Sequence, residues 1–169
     1  MFEACAVGVG VSEDRAFTSI GVAGRVADDP RVVIDLVAYL DGTARGVAEV
    51  LRVADDLAAR AVVIDPHSQA ATLIHPLEEA RLKTLVKPST SDVVVAHGLF
   101  LDELKGGRLR RIPHPRLDEA ARAGIQRPLA GAQTWDRRVA VDVAPLGAVT
   151  LALWGLLTAK PPPAPVFVV

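Results

Sequence analysis

"CAVGVGVSEDRAFTSIGVAG", residues 5–24, decides the fold. Two apolar segments, 4–11 and 16–24, flank Ser12, Glu13, Asp14 and Arg15. Turn formers between apolar runs predict a β-hairpin. "DDPR" at 28–31 makes the next turn. "VVIDLVAYL" at 32–40 is rich in β-branched residues and predicts a third strand. Three antiparallel strands therefore open the chain.

Periodicity then changes. "DGT" at 41–43 ends the third strand and places Thr43 to cap a helix. In "ARGVAEVLRVADDLAAR" (44–60), Val47, Val50, Leu51, Ala54 and Leu57 fall at helical spacing. "AVVID" at 61–65 is a short, wholly apolar strand ending in a carboxylate, as in a sheet covered by helices on both faces. Ser68 is placed to cap a second helix reaching about Arg81, with Glu78 and Glu79 outward. "LKTLVKP" (82–88) predicts a fifth strand, and "TSDVVVAHGLFLDELKGG" (90–107) a helix that stops at paired glycines. "RLRRIPHP" (108–115) is a basic extended piece and "RLDEAARAG" (116–124) a short helix. "AGAQTWDRRVAVD" (130–142) reads as irregular or an edge strand. A last helix is expected from about Ala144 to Ala159, before "PPPAP" at 161–165. The expected architecture is α/β: a mixed sheet, antiparallel over its first three strands and then parallel, with helices on both faces. Residues 1–160 form one domain, and 161–169 a proline-rich tail.

Composition agrees with this. The 169 residues suit one core, and a half-hydrophobic, 23% charged chain is globular. With only 4% aromatics, the core must be built from Ala, Val, Leu and Ile. A net charge of −1 means that a nucleic-acid partner requires a local basic patch. The single cysteine, Cys5, excludes an internal disulfide, reads as a buried strand residue and fits a reducing cytoplasm. The first ten residues carry Glu3 and no basic residue, so a charged leader is not expected. The apolar run at 143–159 contains Pro145 and falls short of a membrane span, so a buried helix is expected there.

Three positions fall where open α/β sheets bind ligands: Gly10 at the first strand's end, Asp65 at the buried strand's end, and Asp142 before the last helix. Each has a structural reading as well. Asp65 can hold the turn into Pro66, Asp142 can cap the last helix, and Gly10 can mark a bulge or a close backbone approach. "KGGRLRRIPHPR" gathers Lys105, Arg108, Arg110, Arg111 and Arg116 around His114, either as a phosphate-contact patch or as a solvated edge; Lys87 is a further candidate contact. His67 follows Asp65 without a second His or Cys to complete a soft-metal set. Trp135 and Trp154 read as packing residues. "GVGVSE" lacks the third glycine of a dinucleotide fingerprint and is followed by a strand.

"VGVGVSEDRAFTSIGVAG" (7–24), "VVIDPHSQAATLIHPLEEA" (62–80), "HGLFLDELKGGRLRRIPHPRLDEAARAG" (97–124) and "WDRRVAVDVAPLGAVTLALWGL" (135–156) occur in that order. In order and spacing, and in the closing "DVAPLGAVTLALW", the chain resembles the C-terminal nuclease domain of phage terminase large subunits. These are DNA-packaging motor proteins with a ribonuclease H-like fold. The resemblance implies an endonuclease that cuts concatemeric double-stranded viral DNA during packaging, with two Mg²⁺ or Mn²⁺ ions held by acidic residues. It implies an ATPase domain, a portal and a small terminase subunit as partners, and the cytoplasm of an infected bacterium as the location. Asp65 matches the acid after the central strand, and Asp142 the acid before the terminal helix. The first-strand acid, which bridges the ions, falls at Gly10, so the resemblance makes Gly10 a vacated ligand position. Glu13 and Asp14 on the adjoining turn are the nearest substitutes. Two readings follow: a two-ion DNA endonuclease weakened or inactivated at Gly10, or a non-catalytic module that binds DNA or packaging proteins. G-x-x-x-x-G-K-[ST] does not occur, so the resemblance does not extend to an ATPase. An actin-like or sugar-kinase half-domain shares the opening hairpin but needs a second such domain.

Overall fold

A computed structural model describes residues 1–160, and the proline-rich tail predicted at 161–169 lies outside the described residues. The opening hairpin is β1 (Ala4–Val11) and β2 (Phe17–Arg25), and β3 (Val32–Asp41) continues it. Asp14 closes the hairpin turn: its Oδ1 accepts from Ser12 Oγ at 2.7 Å and from the Ala16 amide at 3.0 Å. Three short strands complete the sheet: β4 (Val62–Ile64), β5 (Leu85–Val86) and β6 (Leu109–Arg111). The order is β5-β4-β1-β2-β3-β6. β2 is antiparallel to both neighbours, and the other pairings are parallel. The mixed sheet is thus as expected. The basic piece at 108–115 adds the pairing that the sequence left open, since β6 lies beside β3.

Helices cover both faces. On one lie α1 (Gly46–Asp56), a 3-10 turn (Gln69–Leu73) and α2 (Ile74–Glu79). They bury Val50, Val53, Leu73 and Leu77 against Val7, Val9, Ile20 and Val22. On the other lie α3 (Thr90–Lys105), α4 (Pro115–Ala123) and α5 (Ala144–Thr158). Ser89 caps α3 in a reciprocal box with Asp92, and Gly107 just past its end takes φ +67°.

Two capping expectations need correction. Thr43 does not cap α1 with its side chain; its carbonyl accepts from the Gly46 amide, and Arg45 occupies the cap position. Ser68 does accept from the Ala70 amide, yet the predicted 68–81 helix is split into the 3-10 turn and α2. Pro76 has no N–H to donate into a continuous helix and is tolerated where it stands, in the first turn of α2.

α5 determines the rest. It is buried from Ala144 to Leu156 except at Gly147. A helix apolar all round belongs inside a domain, and no helix among the described residues is long and apolar enough to cross a membrane. It lies directly on β1 and β2 because their facing residues are glycines. A Cβ at Gly8 would stand 2.0 Å from the Ala148 carbonyl oxygen, and one at Gly21 2.8 Å from the Val149 nitrogen. A small hairpin, β7 (Gln126–Leu129) and β8 (Ala132–Trp135), closes over one end of this layer. Trp135 anchors it: the indole Nε1 donates to Thr150 Oγ1 on α5 at 3.0 Å, and the ring meets His97 and Phe100 of α3 edge to face. Trp154 is buried in the core of the same face, and Cys5 is buried with its thiol donating to the Leu57 carbonyl.

Candidate functional site

The parallel strands β1 and β4 end side by side. Val9 pairs with Ile64, and the next residues, Gly10 and Asp65, line one cavity of about 70 Å³. Across the sheet at the same level, Gly10 pairs with Ser19, and Ser19 with Tyr39. One row therefore holds Asp65, Gly10, Ser19 and Tyr39. Tyr39 leads to Asp142, since its hydroxyl donates to Asp142 Oδ2 at 3.0 Å. The fold brings the three positions singled out in the sequence to one edge of the sheet.

The carboxylates at that edge are already engaged. Asp65 is buried; its Oδ1 accepts from the His67 amide at 2.9 Å, which holds the turn through Pro66. Its Oδ2 faces the Arg137 guanidinium at 3.9 Å. Asp142 accepts from the Ala144 amide through Oδ1 and from Tyr39 through Oδ2. Burial pushes its pKa above the ordinary carboxylate value, against the lowering effect of these two bonds. Burial is also the main reason that the Tyr39 hydroxyl is raised, with the Asp142 charge adding to it. The turn and cap roles considered for the two aspartates are thus real. Asp142 lines a different, neighbouring cavity with Glu13, Asp14 and Arg116, and Arg137 lines both. Arg116 lies over the stacked rings of Phe17 and Tyr39.

Gly10 has two properties that bear on its origin. A Cβ there would stand 2.7 Å from the Ala144 carbonyl oxygen and 3.2 Å from Ala144 Cβ. The structural reading, close approach of α5, therefore holds in this sequence, and free acceptance of a side chain is not expected. Yet Ser19, fully buried and directly opposite, has a hydroxyl with no hydrogen-bond partner among the described residues. Opposed residues place their Cβ atoms about 4.5–5.5 Å apart. A carboxylate at position 10 would meet that hydroxyl.

The residues do not make a two-ion centre. Position 10 has no side chain, Asp65 faces an arginine, and both oxygens of Asp142 accept hydrogen bonds. Asp14, a possible substitute, is committed to its own turn, and those bonds hold its carboxyl below the usual range. Among the described residues no three His, Cys, Asp or Glu side chains are placed to hold a metal ion.

The predicted DNA contacts lie elsewhere. Lys87 pairs with Glu78, Arg108 with Glu103, Arg110 with Asp29 and Arg111 with Asp118. None of the four lines the cavities at Asp65 and Asp142. The reason is topological: β6 is the far strand of the sheet, with a carboxylate within reach of each of its arginines. Sequence reasoning missed Ser19, Tyr39 and Arg137. "WDRR" contained the signal for the last, but the hairpin that presents it was not visible.

No protein-family model matches the sequence, and no curated protein matches it. Solved structures match its fold. The HK97 bacteriophage large terminase superposes with a TM-score of 0.68 at 16% identity, over 89% of this chain and 39% of that one. The large terminase nuclease of the thermophilic phage G20c gives 0.68 at 15% identity, over 88% of this chain and 80% of that one. The nuclease domain of the Thermus phage P74-26 large terminase gives 0.61 at 14%, over 88% and 77%. The G20c nuclease has been crystallised with bound magnesium and with bound cobalt. The chain spans about two fifths of the HK97 protein. Its mixed sheet and flanking helices are the ribonuclease H-like fold of the large terminase nuclease domains.

Proposed function

We propose that this chain is the nuclease-fold module of a viral DNA-packaging motor, and that two-ion cleavage is disabled in it at Gly10. Its substrate class is double-stranded DNA. Its setting is the cytoplasm of an infected bacterium, beside a packaging ATPase domain, a portal and a small terminase subunit. The fold likeness to large terminase nucleases, at a TM-score of 0.68, supports the packaging role.

One observation carries the second half: the buried, partnerless Ser19 hydroxyl opposite Gly10. Buried hydroxyls are ordinarily hydrogen-bonded, so this one marks a missing acceptor at the position where the resemblance requires an acid. Two divalent ions activate a water and stabilise a leaving oxygen only when an anionic ligand screens their mutual repulsion. Mg²⁺ and Mn²⁺ need carboxylate oxygens for this. Here Arg137 supplies the positive charge beside Asp65 instead.

The test is supercoiled plasmid incubated with Mn²⁺, together with duplex binding in EDTA. The expected result is binding without nicking. Nicking that disappears in Asp65→Asn would overturn the disabled reading, and absence of duplex binding would overturn the DNA-module reading.

A further inference from the structure

Next to Asp65, whose carboxylate His67 and Arg137 both approach, a cavity of about 170 Å³ is lined by Arg127, Arg137, Arg138, His67, Gln69 and Glu13. We propose that this cavity is a phosphate site that seats the backbone of duplex DNA at the carboxyl ends of β1 and β4. The proposal rests on the reading of the chain as a DNA-acting module, and it names the residues that make the contact.

Four observations carry it. First, three arginines from separate segments line one cavity. Arg127 comes from β7 and Arg137 and Arg138 from the loop after β8, while His67 and Gln69 follow β4. Along β7, Gln126 and Pro128 are exposed whereas Arg127 and Leu129 are half-buried, so the strand turns Arg127 inward. Like charges gathered in one concavity repel unless an anion joins them. Second, Arg127 and Arg138 form no salt bridge among the described residues, in contrast to Arg108, Arg110 and Arg111 of the predicted patch. Third, the charges match. Three arginines against Glu13 and Asp65 leave one positive charge, and a phosphodiester carries one negative charge. A guanidinium fork also fits two non-bridging phosphate oxygens. Fourth, the place is right: strand carboxyl ends are where open α/β sheets bind ligands. The Arg137 guanidinium is 3.9 Å and His67 Nδ1 3.7 Å from the Asp65 carboxylate.

The experiment is a salt titration of binding to a short mixed-sequence duplex, read by fluorescence anisotropy in EDTA. Each phosphate contact adds about 0.9 to the slope of log K against log salt, equivalent to about eightfold in affinity at 0.1 M salt. Arg127→Gln with Arg138→Gln should therefore lower the slope by about 1.8 and weaken binding about 60-fold at 0.1 M. Arg127→Lys with Arg138→Lys, which keeps the charge and controls for folding, should retain most of the slope. Neutralising the paired Arg108, Arg110 and Arg111 should change the slope by less than the Arg127/Arg138 pair does.

If the unaltered chain binds duplex and the glutamine pair binds it with the same slope, the phosphate site is wrong and the DNA-module reading stands. If the unaltered chain binds no duplex, that reading itself fails. Should inorganic phosphate raise the melting temperature through Arg127 and Arg138 while duplex does not bind, the pocket takes a small anion and the DNA assignment is overturned.

Discussion

Gly10 and Ser19 form a pair whose coupling can be measured. Gly10→Ala tests packing alone. Its Cβ would meet the Ala144 carbonyl oxygen at 2.7 Å, a backbone atom that cannot swing aside. Overpacking of this kind costs about 1–3 kcal/mol, or a fall in Tm of about 2–12 °C for a chain of this size. Gly10→Asp carries the same steric cost but brings an acceptor to the Ser19 hydroxyl. A hydrogen bond to a charged group contributes about 1.5–3 kcal/mol. Ser19→Ala alone removes a hydroxyl that has no partner, so it should be neutral or stabilise by about 1 kcal/mol. In the Gly10→Asp background the same change should be destabilising. The double-mutant cycle, measured by urea denaturation, should give a favourable coupling of about 1.5–3 kcal/mol. Mn²⁺ at a hundred times its Kd should then stabilise Gly10→Asp by about 2.7 kcal/mol and leave Gly10→Ala unchanged. Metal-dependent nicking of plasmid should rise only in Gly10→Asp. A coupling within about 0.5 kcal/mol of zero would refute the claim that Ser19 lost its partner at position 10.

Other outcomes follow from single contacts. His97 is buried against Trp135, and desolvation lowers its pKa. Its neutral-form stability is lost as pH falls below about 6.5, the unfolded value; His97→Phe should flatten the acid limb of Tm against pH, and an unaltered limb would assign it to another group. Asp142 is shifted the opposite way: the folded state holds its proton more tightly, so its contribution falls as pH rises from about 3.9 through the higher folded value. Asp142→Asn keeps an acceptor for the Ala144 amide and should leave neutral-pH stability equal or higher, and a clear fall in Tm at neutral pH would contradict this. Thr150→Val removes the acceptor of the Trp135 indole and should cost about 1 kcal/mol, with faster amide exchange across 126–135. Equal exchange would show that the hairpin is held without that bond.

The sheet was legible because its signals are local. β-branched runs, the Asp14 turn and the apolar 61–65 segment each announce a strand through its own residues. The pairing of β6 with β3 was not legible, because three residues of basic sequence carry no apolar alternation. Asp65, Asp142 and Gly10 were legible as positions at element ends. Their occupation was not. That Asp65 faces Arg137, and that Tyr39 reaches Asp142, depends on partners 72 and 103 residues away in sequence. The ion pairing of the basic patch was not legible for a related reason. A run of arginines shows where positive charge is in sequence, whereas ion pairing with Asp29, Glu103 and Asp118 decides how much of it remains unpaired.

The glycines of β1 connect packing to chemistry. Gly8 and Gly21 are needed wherever α5 lies this close, because a Cβ at either would meet helix backbone at 2.0 and 2.8 Å. Gly10 stands at the end of the same strip, beneath the first residue of α5, where the helix begins and Pro145 follows. An acid at that end requires the first turn of α5 to stand slightly further off than it does over Gly8. On the proposal that Gly10 is a vacated acid position, loss of the acid would let the turn settle onto the strand, closing the space and leaving Ser19 without its acceptor. The two observations at Gly10, a closed Cβ position and an orphaned hydroxyl, then have one cause. The consequence is directional. Restoring the carboxylate must first lift Ala144, so Gly10→Asp should gain metal binding with a loss of metal-free stability, and Ala144→Gly should reduce that loss by removing the Cβ at 3.2 Å. If Ala144→Gly makes Gly10→Asp no better tolerated than it is alone, once the cost of glycine in the unaltered chain is subtracted, the helix start is not what closes the site.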